Sequence, residues 1–172
     1  MLPDKEIDSF WQSIVSSVNH LASCLDGLNE EDLNWKPLNN ANSLYVLPNH
    51  MMSNIEETIL GVLCGESVKA RHREDDFKVI GSSIDPTKQK WHELQERIAS
   101  SLAQLPPGAL NKEYTHPRRG KITGRDILIV VAKHAAEHVG QAELTLDLLF
   151  TARGRPLPQR DSLGRRIDVD KH

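Results

Sequence analysis

The stretch KHAAEHVGQAELTLDLL, residues 133–149, sets two histidines four residues apart inside an otherwise ordinary amphipathic segment. Around it Leu128, Ala132, Ala135, Val139, Ala142, Leu146 and Leu149 recur at alternating steps of four and three, the spacing of one helical face turned toward a core. One residue earlier runs a second row, Ile127, Val131, His134, His138, Gln141, Thr145 and Leu148, apolar at both ends and polar in the middle. Imidazoles at i and i+4 stand one turn apart on the same face, so both can aim a ring nitrogen at a single ion. Two ligands are too few for a metal site, and one histidine beside an apolar face is more often a satisfied core residue. A third ligand has to come from another element.

Working outward, the histidine-bearing segment is predicted to be the last of four long helices. It opens at TGRD, where Thr123 and Asp126 have capping-box spacing, and runs to about Phe150. The first helix is expected from about Asp4 to Asp26, with Ile7, Phe10, Trp11, Ile14, Val18, Leu21, Ala22 and Leu25 inward and Gly27 as its stop. The second is expected to begin with Asn42 or Ser43 as cap and to end at Cys64 before Gly65. The third opens with Asp85 as cap and Pro86 at its first position, turns Trp91, Leu94, Ile98, Leu102 and Leu105 inward, and stops at Pro106-Pro107-Gly108. No strand is predicted. The fold class is therefore all-α, a four-helix bundle. The segment of about 20 residues from Gly65 to Ile84 is long enough to cross the whole bundle, which predicts an up-down-down-up arrangement with the crossover between helices 2 and 3.

Composition is consistent with one domain over residues 1–150, because 172 residues with 38% hydrophobic content can bury a core. Residues 151–172 read as a basic, solvated tail. A net charge of -3 offers no general attraction to nucleic acid. No apolar run approaches the ~20 residues of a membrane helix, and the acidic N-terminal stretch is unlike a signal peptide, so the expectation is a cytoplasmic protein without a membrane partner. Cys24 and Cys64 lie in apolar helical contexts and read as small buried hydrophobes, not a disulfide.

The third ligand candidate is His50, in LYVLPNHMMSNIEETIL, flanked by Leu47, Met51, Ile55 and Ile59. At a rise of 1.5 Å per residue it lies ~12 Å into its helix and His134 lies ~15 Å into the fourth, so the two meet near mid-bundle. His20 and His92 fall on the remaining helices, and His72, His116 and His172 on polar linkers or the tail, and none of these five is assigned to the site. Pro48, two residues before His50, removes a backbone bond to Leu44 and predicts a kink. HAAEH also fits H-x-x-E-H, the inverted zinc-protease pattern with Glu137 as base, but too little chain follows His138 to supply the later acidic ligand. Glu137 and Gln141 read instead as residues flanking the site.

The stretches NANSLYVLPNHM and HAAEHVGQ, together with the W-x-P step at Trp35-Lys36-Pro37, resemble the DinB/YfiT-like superfamily of metal-binding four-helix bundles over roughly residues 5–150. That resemblance implies a divalent ion held by His50, His134 and His138; by their chemistry three imidazoles suit zinc, nickel, iron and copper alike. The resemblance also implies transfer of a low-molecular-weight thiol, such as mycothiol or bacillithiol, to a small electrophile. From chemistry alone, three histidines leave a coordination position open, which admits either a water activated for hydrolysis or a thiol bound as thiolate. Composition and spacing do not choose between them, nor against a non-catalytic stress-response role. The loop HPRRGK places Arg118, Arg119 and Lys121 before the fourth helix, either as anchors for an anionic thiol or as a solvated loop. A second copy of the chain is the other expected partner, as a homodimer.

Overall fold

Four long helices carry these apolar stripes in a computed structural model that describes residues 1–161; the tail from residue 162 onward, with His172, lies outside the described residues. Helix α1 (Lys5–Ser23) starts where Asp4 accepts the backbone N–H groups of Glu6 and Ile7 at 2.9 and 3.1 Å. Every residue expected on its inner face is buried except Phe10, which is half-buried. A short helix α2 (Glu30–Asn34) follows, then α3 (Val46–Ile55), which continues directly as a π-helical segment Glu56–Leu63. Helix α4 covers Asp85–Ala103 and α5 covers Gly124–Ala152. The expected capping box opens α5, with Thr123 Oγ1 accepting from Asp126 N at 3.1 Å and Asp126 Oδ2 accepting from Thr123 N at 3.2 Å.

Three expectations are corrected. The second long helix starts at Val46, not at Asn42 or Ser43, so Pro48 falls in its first turn, among the N–H positions that have no intrahelical acceptor in any case. The proline sets where the helix begins and does not break the ladder at His50. In α4 Asp85 is the first helical residue and Ile84 the cap, a shift of one position. The segment before α5 is not a loop: β1 (Glu113–His116) pairs antiparallel with β2 (Gly120–Thr123), His116 opposite Gly120. The three-residue connection Pro117-Arg118-Arg119 closes with Arg119 N bonded to His116 O and with Gly120 at φ 69°, the left-handed residue that such hairpins need.

Side-chain pairs give the helix directions. Glu6 meets Arg125 and His20 meets Glu143, so α1 and α5 run parallel. Asn19, late in α1, accepts from Trp91 Nε1, early in α4, while Ile7 and Leu102 line one cavity, so these two are antiparallel. Asn49 meets Thr87 and Glu66 meets Arg97, so the second and third long helices run parallel. This is the expected up-down-down-up bundle, and residues 64–84 make the crossover. That crossover is not featureless: it holds a 3-10 helix, Arg73–Lys78, and is pinned at Gly81, whose N–H and C=O both bond the side chain of Asn34 at 3.1 and 2.8 Å.

Gly81 packs flat against Tyr45, and a Cβ there would lie 2.1 Å from the ring. Gly81→Ala is therefore expected to destabilise the fold by roughly 1–3 kcal/mol, as overpacked sites do. Chemical denaturation measures this, and an unchanged midpoint would mean that the crossover is not seated on Tyr45.

Candidate metal centre

Helix α3 delivers His50 from the crossover side of the bundle, and α5 delivers His134 and His138 from successive turns. His50 and His138 are buried, and the His134 side chain retains 31% exposure. Their Nε2 atoms converge: His134 Nε2 lies 3.3 Å from that of His50 and 3.3 Å from that of His138, and the three donor atoms all fall within 4.8 Å of one another. A tetrahedral ion with metal–nitrogen bonds of about 2.0–2.1 Å places neighbouring donors about 3.3 Å apart. The donor set and its spacing thus fit a divalent ion.

The far side of each ring faces an oxygen. His50 Nδ1 lies 3.1 Å from Asp76 Oδ2, His138 Nδ1 lies 3.1 Å from Gln141 Oε1, and His134 Nδ1 lies 3.7 Å from Glu137 Oε2. A carboxylate or amide oxygen accepts, so Nδ1 carries the ring proton in His50 and His138, and their Nε2 atoms present lone pairs to the centre; Glu137 lies beyond hydrogen-bond distance of His134 Nδ1. The Arg71 guanidinium also approaches His50 Nδ1, at 3.2 Å, but it can only donate, and its Nε and Nη2 hydrogens are directed to Asp76 Oδ2 at 2.9 and 2.5 Å. Arg71 further bonds Glu57, which the Arg118 guanidinium holds from the other side. Burial raises the Glu57 carboxyl, but the bonds from Arg118 and Arg71 outweigh it and keep this group below its ordinary range.

Protonation follows the same geometry. Burial, then the positive charge of Arg71 and the neighbouring imidazoles, lowers the pKa of His50 from 6.5 to about 4 against an opposing pull from Asp76. Burial likewise lowers His134 and His138, opposed by Glu137 and, at His138, by Gln141. All three rings are therefore neutral near pH 7, the form that ligates a metal. Beside His50 and His134 lies a cavity of about 340 Å³, with His116, Arg118 and Arg119 from the hairpin on its walls. A larger one, about 400 Å³, lies between the start of α1 and the end of α4; of its charged residues, Glu6 and Arg125 pair with each other and Asp4 caps α1. It contains no convergent ligand set.

A family profile described as the DinB superfamily matches residues 16–142, from α1 through both histidines of α5. The chain belongs to the DinB superfamily. Among solved structures it is similar to a DinB-like protein from Bacillus cereus ATCC 10987, at 17% identity and TM-score 0.66, over 90% of this chain and 97% of that one. It is also similar to a conserved protein of a locus from Enterococcus faecalis, at 15% identity and TM-score 0.65, over 88% and 99%. At such identities the likeness concerns the fold. No curated protein matches.

In this DinB-superfamily chain, the residues around the triad that sequence reasoning missed come from the irregular segments. Asp76 and Arg71 sit in what reads as a charged linker, and His116, expected in a polar loop, is 4% exposed on β1. Alternation of Tyr114, His116 and Ile122 around PRRG was the available signal for the hairpin. His72 and His92 remain exposed, and Lys121 pairs loosely with Glu113 at 4.0 Å, away from the cavity wall. His20, Cys24 and Glu143 form a second cluster within 4.8 Å, but the Arg160 guanidinium pairs with Glu143 and already balances its charge. The described part of the basic tail is tied down in the same way, Arg155 to the buried Asp32 at 2.5 Å and Arg153 to Glu31 at 2.6 Å. Among the described residues, no helix is long and apolar enough to cross a membrane.

The lowered histidines make a prediction for metal-free protein. The folded state resists protonating His50 down to about 4, whereas the unfolded chain takes up that proton near 6.5. Between those values the unfolded state binds more protons, so stability falls as pH drops through the window, by as much as ~3 kcal/mol for a shift of this size. Denaturant unfolding at pH 7 and pH 4.5 measures it. In His50→Gln the pH dependence should shrink, and an unchanged slope would remove His50 as its source.

Proposed function

We propose that His50, His134 and His138 bind a divalent metal ion, zinc, nickel or iron, and that the protein uses it to transfer a low-molecular-weight thiol to a small electrophile. The observation that supports this most is the convergence of three neutral Nε2 donors beside a cavity of substrate size. A divalent ion held only by neutral ligands keeps its full charge for a further ligand, and would draw a thiol toward its deprotonated form at neutral pH.

The chain's own residues supply orientation and electrostatics. Asp76 and Gln141 hold the His50 and His138 rings in one tautomer, and Arg71 keeps Asp76 in place. Arg118 and Arg119, standing on the cavity wall, favour a thiol or electrophile that carries negative charge. Neither cysteine competes as the nucleophile: Cys24 is buried in the core, and burial pushes the Cys64 thiol up to about 12.

Metal-loaded protein assayed with several low-molecular-weight thiols and a halodinitrobenzene electrophile tests the reading. Turnover should require both metal and thiol and should be lost in His50→Ala. Turnover that needs the metal but no thiol would replace this reading with hydrolysis. Metal binding without turnover in either format would favour the non-catalytic role.

A further inference from the structure

The cavity beside the triad has Arg73, Arg118 and Arg119 on its walls, and among its lining residues there is no carboxylate. Three guanidinium groups reach it. Arg118 is matched by Glu57, but Arg73 has its guanidinium 4.9 Å over the Phe77 ring and Arg119 contributes only a backbone bond to His116, so neither has an acidic partner among the described residues. Arg73 and Arg119 are both exposed, and as guanidinium groups without counter-charges on one cavity they give it a net positive charge that an anion would offset.

Two further groups on the same walls are neutral donors. His116 Nδ1 accepts the Arg118 backbone N–H at 3.1 Å, which assigns the ring proton to Nε2. Burial, then the charges of Arg118 and Arg119, lowers the pKa of His116, so it donates without becoming cationic. Thr58, on the π-helical segment, is 1% exposed, and its hydroxyl has no hydrogen-bond partner among the described residues. A buried hydroxyl left unbonded costs about 1–3 kcal/mol, and most buried polar atoms are satisfied, so one orphaned on a cavity wall points to a ligand.

We propose that this cavity binds the carboxylate or phosphate group of a small ligand, with Arg73 and Arg119 as its ion-pair partners and with His116 Nε2–H and the Thr58 hydroxyl as neutral donors. The site rests on the thiol-transfer reading only in sharing its cavity, and it assigns a charge class to the molecule that enters. Anion binding itself requires neither metal nor turnover.

Calorimetric titration of metal-free protein with succinate, with glycerol phosphate, and with glycerol as the neutral control tests it. At least one anion should bind and glycerol should not, and the tighter anion identifies the group. Arg73→Gln and Arg119→Gln should each weaken binding about tenfold or more, the size expected for one charge-assisted hydrogen bond. Arg125→Gln, whose guanidinium pairs with Glu6 away from the cavity, should leave it unchanged. Thr58→Val should weaken binding yet raise the melting temperature of the ligand-free protein, because the hydroxyl it removes is unbonded there. No binding of either anion, or binding indifferent to Arg73 and Arg119, would overturn the proposal, and a lowered melting temperature in Thr58→Val would assign that hydroxyl a structural bond instead. Anion binding that persists while thiol transfer fails would sink only the functional reading; transfer without anion binding would sink only this site.

Discussion

Replacing His138 with alanine is expected to lower zinc affinity by more than about a hundredfold while leaving the helical content intact. The loss should exceed the 10- to 100-fold typical of residues that merely support a ligand, because a ligand itself is removed and two imidazoles remain. The fold should persist because the ring contributes little to the core of α5. Leu128, Ala135, Ala142, Leu146 and Leu149 hold that helix in place and are each fully buried. Equilibrium zinc competition and circular dichroism on the same sample separate the two effects. Zinc affinity equal to that of the wild type would end the assignment of the triad. Collapse of the helices would make His138 structural.

The second large effect is expected at Arg71. Its side chain is only 5% exposed and lies between Glu57 and Asp76, themselves 16% and 9% exposed. Removing one partner of a buried ion pair leaves the other charge without compensation, which typically costs 3–5 kcal/mol. Arg118 still neutralises Glu57 in Arg71→Ala, so the stranded group is Asp76, and a loss of about 3 kcal/mol is the expected outcome in metal-free protein. Zinc affinity should fall as well, by about 10- to 100-fold, because Asp76 then no longer holds His50 Nδ1 in a fixed place. Urea unfolding and zinc competition measure the two. A variant as stable as wild type would show that water already screens this pair.

These two predictions rest on residues of unequal legibility. His134 and His138 were readable because their relation is local: a helix places i and i+4 on one face, whatever the rest of the chain does. The same holds for Thr123 and Asp126, whose capping box closes within three residues. The buried stripes were readable because period alone identifies the inner face. The crossover was readable as a length, which was enough to order the helices up-down-down-up. His50 needed more, since its partnership with α5 depends on relative depth in two helices.

Beyond the locally readable Glu137 and Gln141, the tertiary structure decided what surrounds the triad. Arg71, Asp76 and His116 lie in segments with no helical or long strand period, and charged residues there read as solvated until the crossover is folded against α3. Pro48 shows the opposite error, in which a local rule predicts a kink from a helix start placed too early. The π-helical turn that carries Thr58 is also invisible in sequence, because an apolar pattern over so few residues fits i+4 and i+5 bonding alike. Sequence by itself determined the four long helices and the faces they bury, since both follow from contacts a few residues apart. The contacts of the site that reach between elements join residues 14 to 84 positions apart, His50 to Asp76 and to His134, Arg71 to Glu57, Glu57 to Arg118. Such pairs have no periodic signature, and only the packed bundle brings them together.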